Sequence, residues 1–299
     1  MISQNLTENN FKQKIKLWLL ENPEFNPYTF SFGKLYRKLT SKFRTLPYFI
    51  IIGVGRAGTT ALYSYLIQHP SIHPALNDDD KLASDIHFFE YMISDDVQWY
   101  RSHFPILSSK QITGEFTSTY IYHPDVPKRI FNLLPQIKLI VILRNPIDKA
   151  YSTYYQQFRY GECSTTFEET IEAEFQRMNL LKKFPEINSS NPDFSNSVAH
   201  NIIRHGIYAD YLENWLNIFN KDQLLILNAD DLKQYTEKTL EHVFNFLNVS
   251  NHNIKNTSKI SARKYPSMDN STRKKLIDFY KPHNQRLNKL LGTSFQWDI

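Results

Sequence analysis

With 299 residues, 41% of them apolar and 14% aromatic, the chain can bury one large core; its length permits one or two domains and it reads as one. The net charge of +5 and pI near 9.0 favour anionic ligands such as nucleotides, acidic glycans or membrane surfaces and say nothing about fold. The single cysteine, Cys163, excludes an internal disulfide framework and a cysteine-built metal cage, and it fits a reducing, cytoplasmic setting.

Residues 1–46 carry eight Lys or Arg against three Glu, interleaved with Phe11, Ile15, Trp18, Phe30, Phe32, Leu35, Tyr36 and Phe43. The early apolar run Leu17–Leu20 is far shorter than a signal peptide's apolar region or a membrane span, so a soluble chain is expected. The segment reads as a basic amphipathic extension. It either packs on its own domain, residues 47–299, or docks on a membrane surface, a partner or a second copy of the chain.

Four short apolar runs then predict buried strands: Tyr48–Ile52, Ile112–Phe116, Lys138–Leu143 and Leu224–Leu227. Helical periodicity falls on Thr59–Gln68, Asp125–Leu134, Pro146–Tyr160, Phe167–Phe184, His200–Phe219 and Asp230–Leu247. The alternation predicts an α/β fold, a parallel sheet with helices on both faces. Pro185–Ser197, rich in Asn, Ser and Pro, reads as an exposed loop, either a flap or a connector.

The first strand runs into Gly53-Val54-Gly55-Arg56-Ala57-Gly58-Thr59-Thr60 and then a helix, the architecture of a phosphate site. Glycines admit close backbone approach, successive amides point into the turn, and the helix N-terminus adds partial positive charge. As a Walker loop it has Gly53-x4-Gly58 but Thr59 where the lysine should stand. As a dinucleotide fingerprint it matches Gly53-x-Gly55-x-x-Gly58, yet some 20 residues on the chain reads His69-Pro70-Ser71-Ile72-His73-Pro74, which predicts no strand ending in an acid. A third reading puts the cation inside the loop, at Arg56, within reach of a 5′-phosphate and a transferring group. A glycine turn without a ligand is the remaining alternative. Farther on, a strand-end Arg144 and a helical Ser152 can grip a second phosphate, although Pro146 after Arg144-Asn145 also simply suits a helix start.

Taken together these segments resemble the sulfotransferases that use 3′-phosphoadenosine 5′-phosphosulfate (PAPS), most closely those acting on heparan-type glycans, the N-sulfotransferase domain included. The shared text is Gly53-x-x-Arg56-x-Gly58-Thr59-Thr60-Ala61-Leu62, His69-Pro70, Ile86-His87-Phe88-Phe89, Arg144-Asn145-Pro146 and Ala150-Tyr151-Ser152. It continues in Arg263-Lys264-Tyr265-Pro266-x-Met268-Asp269 and Tyr280-x-x-His283-Asn284, so that the likeness spans roughly residues 48–291.

The resemblance implies a P-loop-like three-layer fold. It implies that Arg56, Ala57, Gly58, Thr59 and Thr60 hold the 5′-phosphosulfate, that Arg144 and Ser152 hold the 3′-phosphate, and that Arg263 closes over the nucleotide, while Tyr265 is either a contact or packing. PAPS is then a co-substrate, and sulfuryl transfer of this kind needs no metal. Its rate should rest on positioning and electrostatics.

The chain departs from that family in places. Arg56 stands where the relatives carry a catalytic lysine; it keeps the charge and can bridge two oxygens but cannot donate a proton near neutral pH. Asp85 stands where the glycan enzymes place a glutamate base, one methylene longer, so His87 is a second candidate base. Bland readings are a helix cap for Asp85 and a packed core position for His87. Ser261-Ala262 replaces a Lys-Gly pair, with Lys259 as a substitute charge, and Phe116 replaces a lysine beside Glu115, which reads as a substrate contact or as a structural carboxylate balancing a nearby arginine.

The function expected is sulfuryl transfer to a hydroxyl or amine of a carbohydrate-type acceptor. The alternatives are a small alcohol, phenol or tyrosyl acceptor, or a nucleotide-binding scaffold without turnover. No nucleic-acid partner is expected.

Overall fold

The computed structural model describes residues 32–76, 85–91, 97–180, 201–257 and 265–297. A short helix α1 (Phe32–Leu39) leads to β1 (Phe49–Gly53) and α2 (Thr59–Leu66), followed by an edge strand β2 (Ile72–Pro74). Two short helices, α3 (Phe88–Tyr91) and α4 (Val97–Ser102), precede β3 (Ile112–Phe116) and α5 (Val126–Leu133). Next come β4 (Lys138–Leu143), α6 (Pro146–Tyr160), α7 (Phe167–Leu180) and α8 (Tyr208–Leu216). The chain ends with β5 (Leu224–Asn228), α9 (Ala229–Gln234), α10 (Thr236–Phe246) and α11 (Asn270–Leu291).

The five strands form one sheet in the order β2-β3-β1-β4-β5, and every pairing is parallel. Parallel sheets are covered on both faces, which is why β1 and β4 are unbroken apolar runs: all five residues of β1 and all but Lys138 of β4 are buried. Phe49 and Gly114 are register partners on β1 and β3, and a Cβ at Gly114 would stand 2.5 Å from the Phe49 ring. Glycine is required there because the ring lies across it. All strands being parallel, their carboxyl ends share one edge, and the loops after β1, β3 and β4 meet there.

The predicted strands all form, shifted by at most a residue at their ends. One was missed: Ile72–Pro74 pairs with Ile112–Gly114, so the stretch after His69-Pro70 does contain a strand. It ends on Pro74 and Ala75 without an acid, so the dinucleotide fingerprint is still incomplete. The fold agrees with a three-layer P-loop-like arrangement.

Two predicted helices are broken in two. The His200–Phe219 pattern resolves into a 3-10 turn at Arg204–Gly206 and α8, because a Cβ at Gly206 would lie 2.6 Å from Tyr280 Oη and 2.8 Å from Pro146 Cβ, where the backbone presses close to its neighbours. The Asp230–Leu247 pattern breaks at Tyr235 between α9 and α10. The Phe167–Phe184 pattern runs as helix to Leu180, and both its remainder and Pro185–Ser197 lie outside the described residues. Among the described residues no helix is long and apolar enough to cross a membrane.

Helix α6 is bounded as its sequence dictates. Asn145 caps it by accepting from Ile147 N–H at 2.9 Å, Pro146 occupies the first turn, and Gly161 ends it at φ 74°. This fixes Ser152 two turns along a rigid element that starts beside Arg144.

Candidate active site

The loop after β1 is shaped by two bonds. Ala57 N–H donates to Val54 carbonyl oxygen at 3.2 Å, closing the turn, and Leu62 N–H donates to Gly58 carbonyl oxygen at 2.9 Å, the first bond of α2. The amides of Thr59, Thr60 and Ala61 therefore have no intrahelical acceptor. Gly58 caps the helix at φ 107°, a conformation that side chains resist. Of the loop residues assigned to phosphosulfate, Ala57 and Thr59 are buried and Thr60 is exposed.

Arg56 lies at the centre of the site. Its Nε donates to Ser152 Oγ at 3.0 Å, and its carbonyl oxygen accepts from Arg144 Nη1 at 2.9 Å. Arg144 is itself held by its carbonyl oxygen, which accepts from Tyr208 Oη at 2.7 Å. The loop after β1, the end of β4 and the second turn of α6, carrying Arg56, Arg144 and Ser152, are thus brought together.

Burial first, and then the positive charges of Arg144 and Arg159, hold the Arg56 pKa below the ordinary arginine value, against the opposing pull of Tyr265 and Tyr160. Among the described residues no carboxylate forms an ion pair with Arg56, Arg144 or Arg159. A half-buried guanidinium beside like charges gains when an anion arrives, which suits this cluster to an anionic ligand. Arg159, exposed in the last turn of α6, acts on Arg56 by its charge alone.

On the other side of the loop stand Asp85 and His87. Asp85 N–H donates to Phe116 carbonyl oxygen at 2.9 Å, and its Oδ1 accepts from Ser118 N–H at 2.9 Å and Ser118 Oγ at 3.1 Å. Ser118 in turn faces Gly55: a Cβ there would stand 3.6 Å from Ser118 Oγ. The carboxylate is therefore clamped against the end of β3, beside the phosphate loop, and does not cap a helix.

His87 is half-buried, not a core residue, and its Nδ1 lies 2.5 Å from Glu90 Oε2. Burial pulls its pKa down, but the hydrogen bond and charge of Glu90, with the charges of Asp85 and Glu115, outweigh that and raise it. Its ring Nε2 makes no protein hydrogen bond among the described residues.

Backbone geometry singles out the same residues. Arg56, Asp85 and His87 have φ of 70°, 51° and 58°, and among the described residues Asn248 is the only other non-glycine in that region. Each such residue stores about 1–3 kcal/mol of strain and persists only where its surroundings over-determine it. Here the surroundings are the bonds just named.

Glu115 corrects an expectation. It is fully buried and, among the described residues, pairs with no arginine: Tyr100 Oη donates to its Oε1 at 2.6 Å and Thr117 Oγ1 to its Oε2 at 2.9 Å. Burial pushes its pKa up to about 7, against those two hydrogen bonds and the charge of His87, with Asp85 adding to the rise. Thr117 Oγ1 also accepts from His87 N–H at 3.4 Å, so the carboxyl sits directly beneath the Asp85–His87 loop.

Other motif residues turn out to be scaffolding. His69 Nδ1 accepts from Ser71 N–H at 3.0 Å, so Nε2 carries the proton to Ser250 carbonyl oxygen at 2.8 Å. Tyr280 is buried and donates to Ile203 carbonyl oxygen at 2.6 Å. Tyr265 packs face to face on Tyr155 with ring centroids 5.1 Å apart. Lys259 and Arg263 lie outside the described residues. Among the described residues no cluster of His, Cys, Asp or Glu is arranged to hold a metal ion.

Residues 46–297 match the family described as "Sulfotransferase domain". The chain is 30% identical over 311 residues to the mouse bifunctional heparan sulfate N-deacetylase/N-sulfotransferase 4, covering 94% of this chain and 33% of that protein. With the human bifunctional heparan sulfate N-deacetylase/N-sulfotransferase 3 it shares 30% identity over 289 residues, 86% of this chain and 32% of that protein. It thus spans about a third of the length of these curated relatives. Among solved structures, a sulfotransferase from Alicyclobacillus acidocaldarius superposes with a TM-score of 0.68 at 22% identity, over 85% of this chain and 99% of that one, which bears on the fold. With the family matched over residues 46–297, this chain belongs to the sulfotransferase family.

Proposed function

We propose that residues 47–299 form a transferase unit that moves a sulfuryl group from PAPS to a hydroxyl or amine of a carbohydrate acceptor by in-line displacement. The observation that carries this reading is the Arg56–Arg144–Ser152 constellation at the carboxyl ends of β1 and β4, where no carboxylate among the described residues pairs with Arg56 or Arg144. That donor set suits a nucleotide with phosphate groups at both ends. Loop amides and Arg56 face one group, Arg144 and Ser152 the other. The similarity to heparan sulfate N-deacetylase/N-sulfotransferases supports a glycan acceptor.

When bound, PAPS supplies an electrophilic sulfuryl group on a bisphosphate leaving group. The chain's own residues supply the rest. Arg56, oriented by Ser152, holds fixed positive charge where negative charge grows on the leaving phosphate, and because it is oriented beforehand little reorganisation accompanies transfer. Asp85 takes the acceptor proton on Oδ2, since Oδ1 is occupied by Ser118 and the strained backbone aims the carboxylate. His87, whose pKa Glu90 raises, stays cationic further up the pH scale than a free imidazole and serves as a neighbouring charge. It is the alternative base if Asp85 is dispensable.

A transfer assay with labelled PAPS across heparan-type oligosaccharides bearing free amines, fully N-acetylated glycans, and phenols tests the reading. Labelled glycan supports it, with amine or hydroxyl selectivity assigning the atom sulfated. Label on phenols alone would replace the acceptor class. Binding of adenosine 3′,5′-bisphosphate without transfer to any acceptor would leave a scaffold.

A further inference from the structure

Of the ten large apolar side chains that stand exposed among the described residues, five fall in two short segments: Tyr36, Leu39 and Phe43, and Trp99 and Ile106. The two segments are bound to each other. Arg44 Nη1 donates to Phe104 carbonyl oxygen at 2.7 Å, Arg101 Nη1 to Arg44 carbonyl oxygen at 2.7 Å, and Thr45 N–H and Oγ1 both to Pro105 carbonyl oxygen at 3.2 and 3.0 Å. Arg44 Nε also donates to Thr40 Oγ1 at 3.0 Å. Arg44, Thr45 and Arg101 turn their polar groups into this seam, while Tyr36, Leu39 and Phe43, at 57%, 72% and 75% exposure, are turned out at helical spacing. Rings and leucines fixed outward on a rigid support mark a contact surface, because a monomer in water is more stable with them buried.

Charge says what the contact is with. Neither residues 32–76 nor residues 97–114 contain an Asp or Glu, although the whole chain has 30 acids. Lys38, Lys42 and Lys110 are exposed on these same segments. Two acid-free stretches that combine outward lysines with an aromatic and leucine face match an interfacial helix that inserts apolar side chains between lipids while its cations meet anionic headgroups. A soluble polyanion satisfies the lysines but leaves Leu39 and Phe43 in water.

We propose that this lobe, α1 with the 3-10 turn at Ser41–Phe43 and the α4–Lys110 segment beside it, docks the protein peripherally on an anionic lipid surface, with Leu39 and Phe43 as the inserting side chains. Docking there is separate from the anion site at the sheet edge and does not depend on the acceptor proposed above.

The test is co-sedimentation of the full chain with phosphatidylcholine vesicles containing 30% phosphatidylserine and with pure phosphatidylcholine vesicles. Partitioning is expected onto the anionic vesicles, weakened by salt and roughly fivefold for each lysine neutralised in Lys38→Gln and Lys42→Gln. Leu39→Glu/Phe43→Glu should abolish it while leaving the circular dichroism spectrum and adenosine 3′,5′-bisphosphate binding unchanged. Equal binding to neutral vesicles, no binding, or wild-type binding by the Leu39/Phe43 variant overturns the proposal. So does a concentration-dependent dimer in vesicle-free solution that Phe43→Glu dissolves, since the face then belongs to a second copy.

Discussion

Arg56 Nε and Ser152 Oγ, 96 positions apart in sequence, meet at 3.0 Å and lock the phosphate loop to helix α6. A cation held this way needs little reordering as charge develops, so losing the cation and losing its lock should have different effects. Arg56→Ala is expected to lower kcat about 10²–10³-fold, the usual effect of removing a charge-stabilising donor. Arg56→Lys keeps the charge but loses the fork and should fall about tenfold. Ser152→Ala frees Arg56 and should weaken adenosine 3′,5′-bisphosphate binding more than it lowers kcat. Steady-state kinetics with calorimetric binding separates these outcomes, and near-normal turnover in Arg56→Ala would refute the role.

The Asp85–His87 loop makes a prediction whose sign depends on which residue is the base. If Asp85 accepts the proton and His87 acts as a cation, activity falls as pH rises through the raised His87 pKa. Glu90→Gln removes the main source of that rise, so it should move the falling limb to lower pH. If His87 is the base, activity instead climbs through its pKa, and Glu90→Gln moves that rising limb to lower pH. Asp85→Asn should lose about 10²–10⁴-fold in kcat in the first case and far less in the second. A kcat–pH profile of wild type, Asp85→Asn and Glu90→Gln decides.

How far the site can be read from sequence follows the distance over which each contact acts. The loop at Gly53–Thr60 and the cap at Asn145 are local, and β4 is a continuous apolar run; these were readable directly. Arg159 brings its charge to bear on Arg56 only because α6 runs two further turns past Ser152, and nothing local marks it. Ser118 and Glu90 are invisible in the same way: Ser118 holds Asp85 across 33 positions. The edge strand β2 was missed because three residues between prolines carry no periodicity, and its pairing with β3 decides its conformation. The break in the first of the two interrupted helices is hidden for the same reason, since Gly206 is a break only in light of Tyr280 and Pro146 packed against it.

Two glycines offer a contrast between site and core. Gly58 sits at φ 107° with Leu232 Cδ2 as the nearest atom to an added Cβ, at 3.6 Å. Gly58→Ala should therefore act through backbone strain, lowering stability by about 1–2 kcal/mol while disrupting the amides that face the donor. Gly114→Ala drives a methyl into the Phe49 ring and should lower stability by about 1–3 kcal/mol through overpacking. Urea denaturation alongside donor KM tests the pair: Gly58→Ala should raise KM out of proportion to its stability loss, and Gly114→Ala should do the reverse.

Glu115 makes stability and activity oppose one another. The unfolded chain gives up this proton near pH 4.5, whereas the folded protein keeps it to about pH 7. Between those values the native state binds the extra proton, so stability falls as pH rises, by on the order of 3 kcal/mol over the interval. Glu115→Gln cannot ionise and should therefore be more stable than wild type at pH 8, with the advantage gone near pH 4. The same change leaves one oxygen for two hydroxyls that each donate to the carboxylate, Tyr100 Oη and Thr117 Oγ1. If Thr117 turns, it no longer presents a lone pair to His87 N–H, and the strained Asp85–His87 backbone loses a restraint. Turnover should then fall about tenfold while donor binding, made on the far side of the loop, holds. Urea titrations of both proteins at pH 4.5 and 8, run beside kcat, check this; a stability difference that does not change with pH would show that the carboxyl is ionised, or neutral, throughout and that its burial does not set the pH response.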